Sequence, residues 1–374
     1  MAALEIELNA WAIPDDHRVF KCSPGKTYRF FEAVRDSEVV FTDIRGLGEL
    51  EGNPTEWTDQ QLVEVIAADR WARELAIRAR HGGLPIGSPL VSPTDRARLT
   101  FLKELWFQAK QGDLVVIPNE GYRKEILIGE FTGDPGEVVR VEAKDGDYTG
   151  TYFGRPVRWR RRGLTKLDLP PELIAKIHTQ TALFTLGESL KEMVYRLAYG
   201  NFIYRGNYVA EFRTSKTVFT AEDHAVVSTW LNGLDVLRYH LATGTADAVN
   251  AASFAELGLM KIPGGQAAEV RIDIQSPGEI YVRTRTPFAL TLMALFALAA
   301  CGAEPGPNQA ITVNIKSVAG AAVDVKHLID ADLNDVSTAL GDKRPQMLAQ
   351  GRRAATDAKL STEASLKQTP KGRT

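Results

Sequence analysis

The chain has few cysteines and few histidines, and its charges nearly cancel. Cys22 and Cys301 stand far apart among 374 residues, which excludes a disulfide framework and a cysteine-rich metal cluster. The six histidines are scattered, and no motif typical of a serine or cysteine hydrolase occurs. A formal net charge of −2 gives no overall attraction to nucleic acid or membranes, so any such affinity must come from local patches.

The first residues, MAALEIELNAW, lack basic residues and a long apolar run, so we expect no secretory signal and a cytoplasmic protein. One uncharged run, TPFALTLMALFALAACGA at 286–303, reaches the lower length limit of a membrane helix. Pro287 and Thr291 interrupt it, and a strand-like segment leads directly into it. We therefore favour a helix buried inside a globular domain. A membrane span is the alternative.

Short apolar segments alternate with helical patterns up to about residue 165. The segments EIELNAWAI, EVVFTDI, GDLVVIP, EILIGEFTG and RPVRWRRR predict strands. Helices are predicted within TYRFFEAVRDS, after Thr58 and from Asp95 to Lys110. This order predicts an α+β fold with a barrel-type N-terminal domain that extends over residues 1–168.

The double proline in DLPPELIAKI marks the start of a second, mixed α+β domain at 169–341. Thr220 and Asp223 predict the capped start of a long helix, and AAEVRIDIQSPGEIYVRT predicts a pair of strands. Residues 342–374 hold 8 Lys and Arg against 3 Asp and Glu and lack apolar periodicity. We expect this tail to be disordered and basic.

The tetrapeptide PGKT at 24–27 is similar to the end of a phosphate-binding loop. That motif needs a glycine five residues before Gly25, where backbone amides wrap the phosphates, and this chain has Phe20 there. An ATP site is therefore excluded, and Lys26 is interpreted as a residue that contacts a phosphate.

Several motifs follow one another in a recognisable order between residues 10 and 165: AWAI, the SPG turn, SEVVFTDIRGLGEL, QGDLVVIP and RPVRW. In this order they resemble the PUA-like domains of the EVE and YTH kind. They are similar in particular to those that precede nuclease or motor domains in bacterial modification-dependent restriction proteins. The resemblance implies that residues 1–168 recognise a flipped, possibly modified base.

The resemblance also implies an aromatic-walled pocket beside a basic strip. Stacking on aromatic faces and hydrogen bonds to the base edge hold a flipped base, while cations grip phosphates without reading sequence. The candidates are Trp11, Phe41 and Trp106 for the faces, Thr42 and Asp43 for the edge, and Lys26, Arg155, Arg158, Arg160, Arg161, Arg162 and Lys166 for phosphates.

Other interpretations of these residues stay open. Each tryptophan can be a core residue, the basic strip can be one solvated strand face, and Asp43 can serve only as a cap or an ion pair. The chain also departs from the family pattern, because Asp43 and Ile44 stand where the family has Gly and Trp, and Glu49 replaces an Asp. A closed or repurposed pocket is the alternative.

The sequence thus predicts a nucleic-acid-binding protein, for DNA rather than RNA, in a bacterial antiviral or restriction-type defence system. We expect no cofactor and no metal, and we expect the second domain to bind a protein partner or itself. An enzyme is less favoured; it would be a metal-dependent nuclease with a site in the second domain. The acidic patterns are Asp134 with Glu142 and Lys144, and DADLND at 330–335. A membrane-anchored effector is the third alternative.

Overall fold

A computed structural model describes residues 4–81, 88–145, 148–179, 181–245, 247–273, 278–303, 311–319 and 326–368. The strands are β1 (Leu4–Ala12), β2 (Val19–Cys22), β3 (Val39–Phe41), β4 (Leu114–Ile117), β5 (Glu125–Phe131), β6 (Val139–Asp145), β7 (Tyr148–Thr165), β8 (Leu183–Thr185), β9 (Asn201–Tyr204), β10 (Asn207–Thr214), β11 (Glu269–Asp273), β12 (Gly278–Thr284), β13 (Ile311–Ser317), β14 (Leu360–Thr362) and β15 (Ala364–Gln368). The helices are α1 (Phe31–Ser37), α2 (Asp59–Arg80), α3 (Pro93–Lys103), α4 (Pro171–Ile177), α5 (Glu188–Tyr199), α6 (Ala221–Ala242), α7 (Asp247–Asn250), α8 (Phe254–Leu257), α9 (Phe288–Ala300), α10 (Lys326–Leu340) and α11 (Arg344–Thr356).

The chain is a mixed α+β protein, as expected, and its residues form two compact units. Residues 16–198 form the central unit, while residues 1–15 and 199–374 together form the terminal unit. The boundaries predicted from sequence, at 168 and 341, differ from this division. The first strand is the main difference, because β1 lies in the sheet of the terminal unit.

The central unit contains a sheet of seven strands in the order β3-β7-β5-β4-β2-β8, with β6 also paired to β7. Only β2 and β4 run parallel among these pairs. Strand β7 is 18 residues long and pairs first with β6, then with β3 and β5. The predicted strands EVVFTDI, GDLVVIP, EILIGEFTG and RPVRWRRR all occur here, as β3, β4, β5 and part of β7.

Two capped helices, α2 and α3, pack against one another in the central unit. The Thr58 side chain accepts a hydrogen bond from the main-chain amide of Gln61, and the Gln61 side-chain oxygen accepts one from the main-chain amide of Thr58, which fixes the start of α2 as predicted. Ser92 and Asp95 form the same motif at α3. Helix α3 ends earlier than predicted, and a π-helical turn follows at Glu104–Gln108.

The terminal unit contains a sheet in the order β11-β12-β10-β9-β1-β13, with β14 paired to β10 and β15 to β1. Side chains alternate across its strands, so that Ile6 and Leu8 of β1 and Phe212 of β10 enter the core together with residues of α6, α9, α10 and α11. Glu211, between Ala210 and Phe212, faces the other side of the sheet, as do the buried Val209 and Phe202. In sequence, the whole central unit lies between β1 and β9.

The apolar run at 286–303 forms α9, which is 13 residues long. All of its residues from 288 to 299 are buried within the core of the terminal unit. The expected buried helix is confirmed, since every face of α9 contacts other apolar side chains. No helix in the described ranges is long and apolar enough to cross a membrane.

The prediction of a disordered tail was wrong for residues 344–368. Helix α11 buries Met347 and Leu348 against α9, and β14 and β15 pair with the sheet. Apolar periodicity missed this helix because two of its buried positions, Gly351 and Ala354, are small. Residues 369–374 lie outside the described residues.

Gly351→Ala is expected to destabilise the protein because α11 approaches α9 closely at this position. An added Cβ would lie 2.5 Å from the Cβ of Ala299 and 3.0 Å from Nε1 of Trp230. Overpacking of this kind costs about 1–3 kcal/mol, more than the helix gains from alanine. Urea unfolding measures the change, and Ala349→Gln, at an exposed position of α11, is the matched control. An unchanged free energy of unfolding for Gly351→Ala would mean that α11 does not pack closely against α9.

Candidate functional site

The central unit contains a cavity of about 640 Å³ where four separate segments meet. These segments are the turn after β2, the loop after β3, the middle of α3 and the segment that follows α4. The lining residues are Ser23, Gly25, Lys26, Thr27, Tyr28, Thr42, Asp43, Ile44, Arg98, Phe101, His178, Thr179 and Ala182. A volume of this size is typical of a pocket for a small molecule.

The PGKT segment forms a tight turn that carries Tyr28 to the cavity. Gly25 has φ 78°, and the side-chain-bearing residues Thr27 and Tyr28 have φ 54° and 58°. A Cβ at Gly25 would lie 2.7 Å from a ring carbon of Phe30, so glycine is required here. Left-handed conformations at two successive residues with side chains cost energy, and such strain concentrates at functional sites.

Thr42 contributes a buried hydroxyl group to the cavity wall. Its side chain follows β3 and is 8% exposed. Within the part of the chain that the structure describes, Oγ1 has no hydrogen-bond partner. A buried hydroxyl without a partner costs about 1–3 kcal/mol. Oγ1 is shielded from solvent, so a ligand atom would recover this energy only after a local shift that opens Oγ1 to the cavity.

Asp43 is tied to three arginines. Arg73 donates to Oδ1 at 2.6 Å and to Oδ2 at 3.0 Å, and Arg29 donates to Oδ2 at 2.5 Å. Arg98 donates to the main-chain carbonyl oxygen of Asp43 at 2.8 Å. The second carboxylate in this cluster, Asp69, also contacts Arg73 and Arg98. The Asp43 carboxylate therefore anchors the loop after β3 rather than standing open to a ligand.

Two opposing effects act on the pKa of Asp43. Burial alone would raise it, but the hydrogen bonds and charges of Arg73 and Arg29 outweigh burial and hold the pKa below its ordinary value of 3.8. The carboxylate is thus ionised at neutral pH and stays paired with the guanidinium groups.

Three aromatic side chains line the cavity: Tyr28, Phe101 and His178. Behind Tyr28, the Nζ of the buried Lys166 lies 5.5 Å from the ring centroid, which fixes the ring by a cation–π contact. The ring of His178 lies 5.7 Å from that of Tyr122. Burial, with the charges of Lys166 and Lys21, lowers the pKa of His178, so the imidazole is neutral at pH 7.

Lys21 fastens the segment after α4 to the turn after β2. Its Nζ donates to Ser23 Oγ at 2.5 Å and to the carbonyl oxygens of Thr179 and Thr181 at 2.9 and 2.6 Å. Burial lowers the pKa of this lysine to about 8. Because Thr179 lines the cavity, Lys21 positions one of its walls.

Three predicted residues, Lys26, Thr42 and Asp43, meet at this cavity, while the predicted aromatic faces do not. Phe41 is buried and stacks on Tyr152 with ring centroids 5.1 Å apart. Trp106 is completely buried beside Trp57. Both are core residues, which corrects their assignment as pocket walls.

Trp11 belongs to the terminal unit, where β1 carries it. Its ring lies 5.5 Å from that of Tyr199, and Nζ of Lys316 lies 5.3 Å from the ring centroid. The order of motifs along the chain could not reveal this, because β1 pairs with strands that follow almost 200 residues later.

The predicted basic strip is not one surface. Arg155 is completely buried, and its guanidinium donates to the main-chain carbonyl oxygens of Trp106 at 2.8 Å, Ala109 at 3.0 Å and Gly133 at 2.6 Å. Burial lowers the pKa of Arg155, because no carboxylate within the described ranges pairs with it directly to offset the loss of solvent. Arg155 thus satisfies the carbonyl groups at the end of the π-helical turn, and its assignment as a phosphate contact is corrected.

Three other members of the strip pair with carboxylates. Arg158 and Arg160 both pair with Glu130 on the adjacent β5, and Arg162 pairs with Glu38 at 2.8 Å. Arg161 is half-buried. Lys166 is buried behind Tyr28 and donates to the carbonyl oxygen of Asn119. Two carboxylates, Glu130 and Glu38, thus pair with three of the basic side chains, and the strip is not one open cationic surface.

The acidic patterns do not form a metal site. Among the described residues, no group of three His, Cys, Asp or Glu side chains is placed to hold a metal ion. Glu142 accepts hydrogen bonds from Arg140 and Thr151 on the surface, and Asp332 in α10 accepts one from Thr291 at 2.5 Å.

Sequence reasoning missed Tyr28, Phe101, His178 and Arg98 as lining residues. Tyr28 and Phe101 fall within helical patterns, where an aromatic residue is typical of the core. His178 follows α4, beyond the segment that carries the resemblance. Their convergence is a property of the tertiary fold.

Comparison of the chain with protein-family models, curated proteins and solved structures gave no match.

The pH dependence of stability tests the Asp43 cluster. Since the folded-state pKa of Asp43 is lowered, its ion pairs stabilise the protein above about pH 4, and this contribution is lost as pH falls through the folded-state value. The free energy of unfolding should therefore exceed that of Asp43→Asn at pH 7, and the gap should narrow below pH 4. Urea unfolding between pH 7 and 3 measures both proteins. A gap that is absent at pH 7 would contradict the cluster's role.

Proposed function

We propose that the central unit binds one nucleobase of a nucleic-acid strand, extruded into the cavity beside Tyr28 and Thr42. The observation that carries this proposal is the cavity lined by three aromatic side chains, with the unpartnered hydroxyl of Thr42 buried in its wall. Aromatic faces hold a planar base by stacking, and a fixed hydroxyl can donate to or accept from its edge.

The charges around the cavity favour a neutral base that carries a phosphate. Lys26 is exposed at the cavity, and Arg98 lines it. The nearby carboxylate of Asp43 is already engaged by Arg73 and Arg29. An anionic phosphate can therefore approach Lys26 and Arg98, while a positively charged base would meet repulsion from the same side chains.

The resemblance of residues 10–165 to EVE-type and YTH-type domains suggests the biological setting. By that resemblance, the chain would recognise DNA, with a modified base as a possible target, in a bacterial defence system of the restriction type. The terminal unit would then serve as the part that binds a protein partner or another copy of the chain.

Two substitutions separate base binding from folding. Thr42→Val removes the unpartnered hydroxyl at almost constant volume, so stability should stay equal or rise while affinity for single-stranded DNA falls about five- to twentyfold. Tyr28→Ala should lower affinity about tenfold or more through lost stacking. Tyr239→Ala, a half-buried tyrosine of the terminal unit, is the control. Fluorescence anisotropy measures affinity, and thermal unfolding measures stability.

The comparison with abasic and RNA strands makes this test specific. A strand that keeps its phosphates but lacks bases should bind much more weakly to the unmodified protein. The abasic strand should also bind the unmodified protein and Thr42→Val with equal affinity. Equal affinity for the abasic strand would overturn the proposal, since the protein would then recognise only phosphates. A matched RNA strand tests the expected preference for DNA.

Salt dependence tests the contribution of phosphates. Because few cations at the cavity lack a carboxylate partner, the logarithm of the association constant should fall with the logarithm of salt concentration with a shallow slope, of about one to three. Lys26→Gln should reduce this slope by about one. An affinity that does not change between 50 and 300 mM salt would exclude a phosphate contact at Lys26.

A further inference from the structure

A second cavity, of about 730 Å³, adjoins the first in the central unit. Lys26 and Arg98 line both cavities and therefore form the wall between them. The second cavity runs along α2, opposite the loop that contains Arg45 and Glu49. A ligand that fills the first cavity and continues past Lys26 would enter the second.

The floor of the second cavity is a surface of small side chains. Ala68, Ala72 and Ala76 of α2 line it at intervals of four residues, and all three are exposed. Four-residue spacing places them on one face of the helix, so a planar or extended group can approach the helix closely.

The rim of the second cavity is cationic. Among its lining residues there are seven basic side chains and three carboxylates, and two further carboxylates, Asp43 and Asp95, pair with three of the arginines. Several of these arginines are held in place: Arg70 donates to Asp95 and Glu74, and Arg73 to Asp43 and Asp69. The basic residues are Lys26, Arg29, Arg45, Arg70, Arg73, Arg80 and Arg98, and the acidic ones are Glu49, Asp69 and Glu74.

Lys26 has the geometry of a phosphate contact between the two cavities. Its side chain is exposed, and its Nζ has no hydrogen-bond or ion-pair partner among the described residues. Arg98 donates from Nη2 to the Asp43 carbonyl oxygen and to Asp69, and its guanidinium has further donors that can face the cavities.

We propose that the second cavity holds the nucleotide adjacent to the extruded base, with the linking phosphate at Lys26 and Arg98. This inference rests on the proposed function, and it narrows the ligand to a single-stranded segment of at least two nucleotides. The small floor accepts the sugar or base, and the cationic rim holds the phosphate. The continuity of the two cavities and the excess of positive charge favour a nucleic-acid strand over other occupants.

The test measures how affinity changes with the length of the nucleotide strand, with and without a negative charge added to the floor of the second cavity. Deoxyadenosine and deoxythymidine strands of one, two and three nucleotides, each with a 5′-phosphate, are titrated against the full chain. We expect a gain of about tenfold or more from one nucleotide to two, and a smaller gain from two to three. Ala72→Glu should abolish the first gain, because its carboxylate would face the incoming phosphate.

Ala79→Glu is the matched control, since it adds the same charge to an exposed position of α2 that does not line the cavity. It should leave the gain intact. Thermal unfolding of both variants, at exposed helix positions, checks that each remains folded.

Each outcome separates this inference from the proposed function. Equal affinities for one and two nucleotides, or a gain that survives Ala72→Glu, would overturn the second-cavity proposal. Mononucleotide binding that depends on Tyr28 would then still support the base site. Absence of binding at every length would overturn both. Binding of a glutamate-rich peptide, lost in Ala72→Glu, without any gain from strand length would assign the cavity to an acidic protein segment and overturn the proposal.

Discussion

The carboxylate of Asp43 holds together the part of the molecule on which the candidate site depends. It joins the loop after β3 to α2 through Arg73 and to the turn before α1 through Arg29, while Arg98 of α3 binds its main-chain carbonyl oxygen. Separate segments thereby acquire one fixed arrangement. In a partly buried ion-pair network of this kind, the loss of one partner leaves other charges uncompensated, so the members depend on one another. The two cavities lie on either side of this cluster, and Lys26 and Arg98 line both.

Buried cations in the central unit share one role, the binding of main-chain carbonyl oxygens. Arg155 binds main-chain carbonyl groups at the end of the π-helical turn, and Lys21 does the same for the segment after α4. Lys166 lies behind Tyr28. Each replaces missing backbone partners with a charged donor, which lets irregular segments pack closely without leaving polar groups unsatisfied. The walls of the first cavity consist largely of such irregular segments.

Local patterns in the sequence were sufficient for most elements but not for their assembly. The capped starts of α2 and α6 and the strands β4 and β5 follow from short motifs, because capping and alternation involve residues close in sequence. The sheet position of β1 depends on partners in β9, β13 and β15, far along the chain, and no local pattern encodes that choice. Helix α11 was missed because close packing there uses glycine and alanine rather than large apolar residues.

The same limit applies to the site. Lys26, Thr42 and Asp43 lie at one cavity, and the sequence grouped them because their motifs are close together along the chain. Arginines along β7 look equivalent in the sequence, yet Arg155 is buried while Arg158 is exposed. Which side of a strand faces the core is decided by its neighbours, and β7 changes neighbours along its length and contains register shifts. The aromatic side chains of the cavity come from three distant segments, so only the tertiary structure brings them together.

The position of the central unit between β1 and β9 has a consequence for how such a protein can evolve. The chain leaves the terminal unit after Asp15 and returns to it at Tyr199. Near these two points, the main-chain amide of Ile13 donates to the carbonyl oxygen of Ile203 at 2.9 Å, and the rings of Trp11 and Tyr199 lie 5.5 Å apart. Within the terminal unit, β1 and β9 thus pair directly with each other, although the whole central unit separates them in the sequence. A different module inserted between these two points would leave the strands of the terminal unit intact, so the central unit can be exchanged as a whole by recombination.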